Sequence, residues 1–138
     1  MGEARDVVER FYKLFEAGDL DGADGLFGDD CITVTPAGEM TKQEHRAFGE
    51  AFKAALPDAH MVVSTAIEDE GVVAVEGRFR GTHTGDLVTA QGTIPPNGHT
   101  IDLGFADFFS VNHGKIVEQR TYWDQGDMMR QLGAAPPG

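Results

Sequence analysis

A single stretch of this sequence sets the chemical question. Between positions 101 and 111, Ile101, Leu103, Phe105, Asp107, Phe109 and Val111 fall on alternate residues. Successive side chains of a strand point to opposite faces, so these six would share one face, and five of them are strongly apolar. Phe105, Phe109 and Trp123 of the following strand would desolvate the lone carboxyl of Asp107. Desolvation disfavours the charged form and raises the pKa, by up to about 3–5 units when burial is complete. A carboxyl poised nearer neutrality suits proton abstraction beside a carbonyl, or dehydration. The structural alternative is a buried aspartate bonded to Arg78, Arg80 or a backbone N–H.

Other residues offer weaker chemistry. Thr121 and Thr33 could orient a substrate oxygen, although threonine commonly fills strands. His83, at a strand end in Gly81-Thr82-His83-Thr84-Gly85, could act as an acid/base at a pocket mouth or anchor a loop through its ring. Asp124 stands where a strand pattern gives way to a helical one, which suits an N-cap. His45 shares a helix face with Phe48 and Phe52 and reads as a packing histidine. No histidine pair has the spacing of a metal site, so no metal and no other cofactor is expected. Cys31 has no sequence neighbour that would activate it and reads as a small apolar residue.

The elements that must position these groups follow from periodicity. Val7, Phe11, Leu14 and Phe15 form an i, i+4, i+7, i+8 stripe that Gly18 can close. A short second helix is expected over 20–27, then a brief β-branched strand, 31–35, ending at Pro36. Thr41 and Glu44 have the capping-box spacing, and the helix they start carries Phe48, Phe52 and Leu56 before stopping near Pro57. Beyond residue 58 the period becomes two. Strands are expected at 60–68, 72–81, 99–111 and 115–124, with a long loop over 82–98 and a short helix over 126–133. Pairing Val111 with Lys115 would turn Gln119, Thr121 and Trp123 to the side of Asp107; a slip of one residue would present Arg120, Tyr122 and Asp124 instead. Helices first and antiparallel strands afterwards argue for an α+β fold, with helices packed on one face of a curved sheet.

The bulk numbers narrow the partners. The chain has 138 residues, 41% of them hydrophobic, which suits one domain over 1–138 with a real core. Its formal net charge of −12 would repel a phosphate backbone and an anionic membrane surface, so neither nucleic acid nor membrane is expected as a partner. The single cysteine and the charged, amphipathic N-terminus fit a soluble protein of a reducing compartment, the cytoplasm.

Several segments together resemble the SnoaL-like polyketide cyclases of the nuclear-transport-factor-2-like superfamily. They are the "FEAGDLDGADGLFGDD" stretch that ends the helical N-terminus, "GRFRGTHTG", "GTIPPNG", "HGKIVEQRTYWD" and the closing "RQLG". The resemblance implies a cone-shaped barrel: a bent antiparallel sheet around a deep apolar pocket, closed by N-terminal helices, often dimeric through the outer sheet face. It implies that Tyr12, Phe15, Phe48, Phe52 and Met61 line that pocket as well as the core. It also implies a cofactor-free reaction on a small or polycyclic hydrophobic molecule, in which an aspartate of the last strand acts with a histidine of the strand before it. Aligned through His113-Gly114-Lys115-Ile116, those two places hold Thr121 and Asp107 here, and the cyclases' first-strand asparagine falls on Thr33 or Thr35. The related epoxide hydrolases keep an aspartate at the place of Asp107 but an arginine at that of Phe105. Cyclase or isomerase chemistry is therefore the first expectation, epoxide hydrolysis or dehydration the second, and a binding module without chemistry the third.

Overall fold

The computed structural model describes residues 2–134. Two helices open the chain, α1 (Glu3–Glu16) and α2 (Leu20–Asp24). Strands β1 (Phe27–Thr35) and β2 (Gly38–Thr41) lead into α3 (Lys42–Ala55). Then come β3 (His60–Asp69), β4 (Val72–Thr82), a small hairpin of β5 (Leu87–Thr89) and β6 (Gly92–Ile94), β7 (Thr100–Asn112), β8 (Lys115–Trp123) and α4 (Gln125–Gln131). The main sheet has six strands in the order β2-β1-β8-β7-β4-β3. Only the β1–β8 pairing is parallel. Helices cover one face of this curved sheet, which is the α+β arrangement expected from the order of elements and the cone that the resemblance implies.

Local chemistry explains the helix boundaries. Gly18, at φ 80°, ends α1, and the amide of Asp19 reaches back to the Leu14 carbonyl at 2.9 Å. The Thr41 hydroxyl accepts from the Glu44 amide at 3.2 Å while the Glu44 carboxylate accepts from the Thr41 amide at 2.9 Å, completing the capping box. Asp124 caps α4 by accepting from the Asp127 amide at 3.0 Å. The buried stripe of α1 runs through Ala4, Val8 and Tyr12, with Val7, Phe11 and Phe15 flanking it. The expected stripe was rotated from this one because a tyrosine hydroxyl counts against burial until its partner is known.

Two other expectations change. The second helix stops at Asp24, and Phe27 instead opens β1 opposite Ile116 of β8. The 82–98 stretch is not a plain loop, since Leu87–Thr89 pairs with Gly92–Ile94 and Leu87 is fully buried.

Bulges decide which residues face inward. On β8, Val111 pairs with Ile116 rather than with Lys115, yet Ser110 pairs with Glu118. The extra residue, Val117, shifts the alternation, so Ile116 is buried before it and Gln119 and Thr121 after it. The expected face is therefore reached through a turn one residue out of register and a bulge that restores it. A second bulge, at Ser64, bends β3 against β4, and Gly77 opposite lets the backbones close. A Cβ at Gly77 would collide with the Val62 carbonyl oxygen, whereas one at Gly28 meets only ordinary contacts beyond 3.5 Å. Gly77→Ala is expected to cost about 1–3 kcal/mol in urea denaturation, with little change for Gly28→Ala.

Candidate functional site

Between the helices and the sheet lies a cavity of about 170 Å³. An apolar cavity of about 150 Å³ accommodates a benzene ring. The buried part of a ligand is thus of the order of one ring unless the helices move. Helix α1 contributes Phe11, Tyr12 and Phe15, and α3 contributes His45, Phe48 and Phe52. The inward faces of β7 and β8 bring Leu103, Phe105, Asp107, Gln119, Thr121 and Trp123. Thr33 and Thr35 enter from β1, and Met61 and Phe79 from β3 and β4. Aromatic rings lock the apolar part. Phe48 packs on Phe52 at 4.8 Å between centroids and stacks on Trp123 at 6.0 Å, and Tyr12 meets the edge of Phe105 at 6.2 Å.

Asp107 is 5% exposed. The Tyr12 hydroxyl donates to its Oδ2 at 2.6 Å, across 95 residues of sequence. Its Oδ1 is buried and makes no hydrogen bond of good geometry to a described residue, although the Thr121 and Gln119 side chains lie close enough to lower the carboxyl's pKa. Thr121 is its cross-strand partner, and Gln119 follows on the same face. Burial holds the carboxyl above its ordinary pKa; Thr121, Tyr12 and Gln119 pull it down without cancelling the rise. Burial, then the neighbouring Asp107 charge, raises the Tyr12 hydroxyl as well, so the phenol keeps its proton. The Thr33 hydroxyl reaches the Gln119 side-chain oxygen at a long 3.4 Å, which ties β1 to the polar corner.

The partners expected of a structural Asp107, Arg78, Arg80 or a backbone N–H, are not bonded to it; the Tyr12 hydroxyl is. Arg78 and Arg80 belong to the opposite face and engage Asp102, at 2.6 and 3.3 Å. Asp124 is occupied as an N-cap. Ten of the twelve residues singled out from the sequence line the cavity: Tyr12, Phe15, Thr33, Phe48, Phe52, Met61, Phe105, Asp107, Thr121 and Trp123. Phe109 and His83 are set apart. Phe109 is fully buried behind the wall, 6.0 Å from both Phe11 and Tyr12. His83 is fully buried beyond the cavity, where its amide donates to the His99 carbonyl at 3.0 Å and its carbonyl accepts from Gly98 at 2.9 Å. His83 is therefore neither at the cavity mouth nor an anchor through its ring, whose two nitrogens find no partner among the described residues; only its backbone ties the segment down.

His45, read from the sequence as a packing histidine, also belongs to the wall. Its ring packs on Phe27 at 4.8 Å and on Phe11 at 6.2 Å. Burial lowers its pKa to about 4, with Asp24 opposing the fall. The available signal was its i, i+3, i+7 spacing with Phe48 and Phe52. Cys31 is buried, and burial pushes its thiol up to about 11, so it stays protonated. Among the described residues no three His, Cys, Asp or Glu side chains converge as metal ligands would. No helix there is long and apolar enough to cross a membrane.

With this geometry in place, comparison with known proteins is informative. The family model described as SnoaL-like polyketide cyclase matches residues 5–132. The chain belongs to the SnoaL-like polyketide cyclase family. No curated protein matches it by sequence. Among solved structures it is similar to AclR from Streptomyces galilaeus, a candidate hydroxylase: 19% identity over 97% of this chain and 98% of that one, TM-score 0.82. It is also similar to IdmH from Streptomyces antibioticus, a candidate polyketide cyclase, at 24% identity, with 96% and 99% of the two chains covered and a TM-score of 0.78. A ketosteroid isomerase-like fold from Catenulispora acidiphila matches at 16% identity, 94% and 93% coverage and a TM-score of 0.74. At these identities the structures establish the shared fold. Within this family member, the carboxyl stands on β7, with Thr121 beside it on β8.

Two titratable groups of the wall, Asp107 and His45, affect stability with opposite signs. The folded Asp107 carboxyl holds its proton above the ordinary value of 3.8, so stability falls as pH rises from there through the folded pKa. The folded His45 binds its proton only near pH 4, so its stabilisation is complete above 6.5 and is lost as pH falls from 6.5 toward 4. Tyr12→Phe removes a donor that favours the Asp107 carboxylate. It is expected to raise the Asp107 pKa further, read by carboxyl carbon NMR, and to cost about 1–3 kcal/mol in denaturant melts at neutral pH.

Proposed function

We propose that the chain is a cofactor-free acid/base catalyst of cyclase or isomerase type, acting on a small hydrophobic carbonyl compound. The observation that carries this reading is a buried carboxyl with one oxygen held by Tyr12 and the other unpartnered, in a wall that is otherwise largely apolar. An unsatisfied buried polar atom calls for an explanation. A substrate oxygen brought against the corner formed by Asp107 and Thr121 would supply the missing partner. Because Oδ2 accepts from Tyr12, a neutral Asp107 carries its proton on Oδ1 and offers it to that oxygen. As negative charge develops on a carbonyl oxygen during enolisation or ring closure, a preorganised donor in a dry cavity stabilises it far better than water would. The phenylalanines and Trp123 hold the hydrocarbon part and exclude water.

Two further readings rest on narrower grounds. An acid able to protonate a carbonyl oxygen could equally protonate an epoxide or a leaving hydroxyl, so epoxide hydrolysis or dehydration is the second reading. The outer face of the sheet exposes Ile32, Val62, Ile67, Val72 and Tyr122, which supports homodimerisation through that face.

Asp107→Asn keeps the shape and the Tyr12 bond while removing the titrating proton. On an enolisable ketone the variant is expected to lose about 10²–10⁴-fold in kcat/KM. Full retained turnover would show that Asp107 is not the acid, and ligand binding without turnover by the wild type would mark a binding module. Light scattering is expected to give twice the monomer mass, and Val62→Glu to return it to that of one chain.

A further inference from the structure

An acid that polarises a carbonyl leaves the carbon-bound proton unassigned, and the wall of this cavity contains a group able to take it. His45 projects from the second turn of α3 into the wall. Its ring makes no hydrogen bond to any described residue, although a neutral imidazole carries both a donor and an acceptor nitrogen. Its neighbours leave those nitrogens free. Phe11 from α1 and Phe27 from β1 pack on the ring and are uncharged. Asp24 of α2 is the charged group that faces it, and Lys42 pairs with Asp24 at 3.9 Å. Arg46, the next residue in α3, is turned to Asp21 at 2.9 Å and Glu50 at 3.2 Å. His45 and Asp107 line the same cavity, with Phe11 packed against both His45, at 6.2 Å, and Tyr12, at 5.6 Å.

We propose that His45 is the base of this site, taking a proton from the carbon beside a substrate carbonyl whose oxygen is held at Asp107. The inference rests on the acid/base reading above and narrows its substrate class to enolisable ketones. In the step, the C–H bond breaks and its electron pair becomes the new C=C bond. The carbonyl π pair moves to oxygen, which takes the Asp107 proton, and His45 holds the proton from carbon. The enol then either takes the proton from His45 at carbon, completing an isomerisation, or attacks a second carbonyl carbon, closing a ring, and the oxygen of that carbonyl takes the His45 proton as its π bond becomes the new alcohol. Asp107 recovers its proton from the enol oxygen as the carbonyl re-forms. No oxidant or reductant is consumed. Burial shifts the two groups in opposite directions, the Asp107 carboxyl up and the His45 imidazole down. His45 is neutral, and so able to accept a proton, throughout the physiological range.

The test follows loss of deuterium from α-deuterated cyclohexanone into water by proton NMR, using the full chain between pH 3.5 and 8. Wild type is expected to accelerate exchange over buffer, with an acid limb near pH 4 where His45 gains its proton. His45→Gln should lose about 10²-fold or more in kcat/KM, together with that limb. His45→Ala should regain rate on addition of imidazole, which a packing role would not produce. Circular dichroism melts establish that both variants are folded, and nitrogen NMR of the wild-type imidazole locates its titration independently. A His45→Gln variant that keeps its rate and its acid limb overturns the role of His45, while loss of exchange in Asp107→Asn alone preserves the acid/base reading. A wild-type chain that leaves the deuterium in place overturns both.

Discussion

The 2.6 Å bond from Tyr12 to Asp107 is the constraint around which this cavity is organised. A carboxyl enclosed by aromatic rings loses its hydration, and an unpartnered buried charge would be costly. The phenol supplies one partner from the far side of the fold. In doing so it fixes α1 over β7, because the residue that satisfies the carboxyl is also the last buried position of the helix stripe that begins at Ala4. The bond is thus structural and chemical together. It holds the helix that closes the cone, and it leaves the second carboxyl oxygen as the unsatisfied one. The rings of Phe11, Phe105 and Phe109 around Tyr12 keep water from competing for either group.

The strands had to be arranged so that this corner faces inward, and the β8 bulge does that. Without Val117 as an extra residue, the observed turn pairing would have set Arg120 and Tyr122 against the apolar face of β7. With it, Gln119 and Thr121 join Asp107 and Thr33, so the polar groups of the wall collect on three adjacent strands. Arg120 is directed outward to Glu118 at 3.1 Å and over the ring of Phe108. One inserted residue separates a sheet with a buried acid corner from one with a buried arginine.

Much of this was legible because it depends on local rules. The capping box at Thr41, the glycine stop at Gly18 and the alternation of 101–111 each need only a few residues of context. The inward face of β7, and with it Asp107, followed directly from that alternation. What escaped depended on contacts far apart in sequence. The burial of Tyr12 requires a partner 95 residues away. Phe27 belongs to a strand only because β8 lies alongside it in parallel. The β5–β6 hairpin is three residues per strand, too short for periodicity to mark. His45 has the spacing of a packing residue, and it does pack. That it also lines a cavity depends on where the sheet stands. His83 misled for the converse reason, since a histidine at a strand end looks exposed until the His99 segment closes over it.

The exchange of residues between β7 and β8 then becomes intelligible. The resemblance to the cyclases puts their acid at the position of Thr121 and a histidine at that of Asp107. Those positions are direct cross-strand partners. Opposed residues of an antiparallel pair have Cβ atoms about 4.5–5.5 Å apart. Moving the carboxyl from one to the other therefore shifts it by about one strand spacing while keeping it on the same wall. The displacement brings it within reach of α1, where a tyrosine can donate to it. A carboxyl at position 107 bonded to Tyr12 has one oxygen committed and the other free, and its charge is suppressed by the rings on either side. Such a group is better suited to hold a proton on a substrate oxygen than to remove one from carbon. The proposed chemistry therefore calls for a second, unprotonated partner in the wall, and α3 is the element that faces the sheet across the cavity.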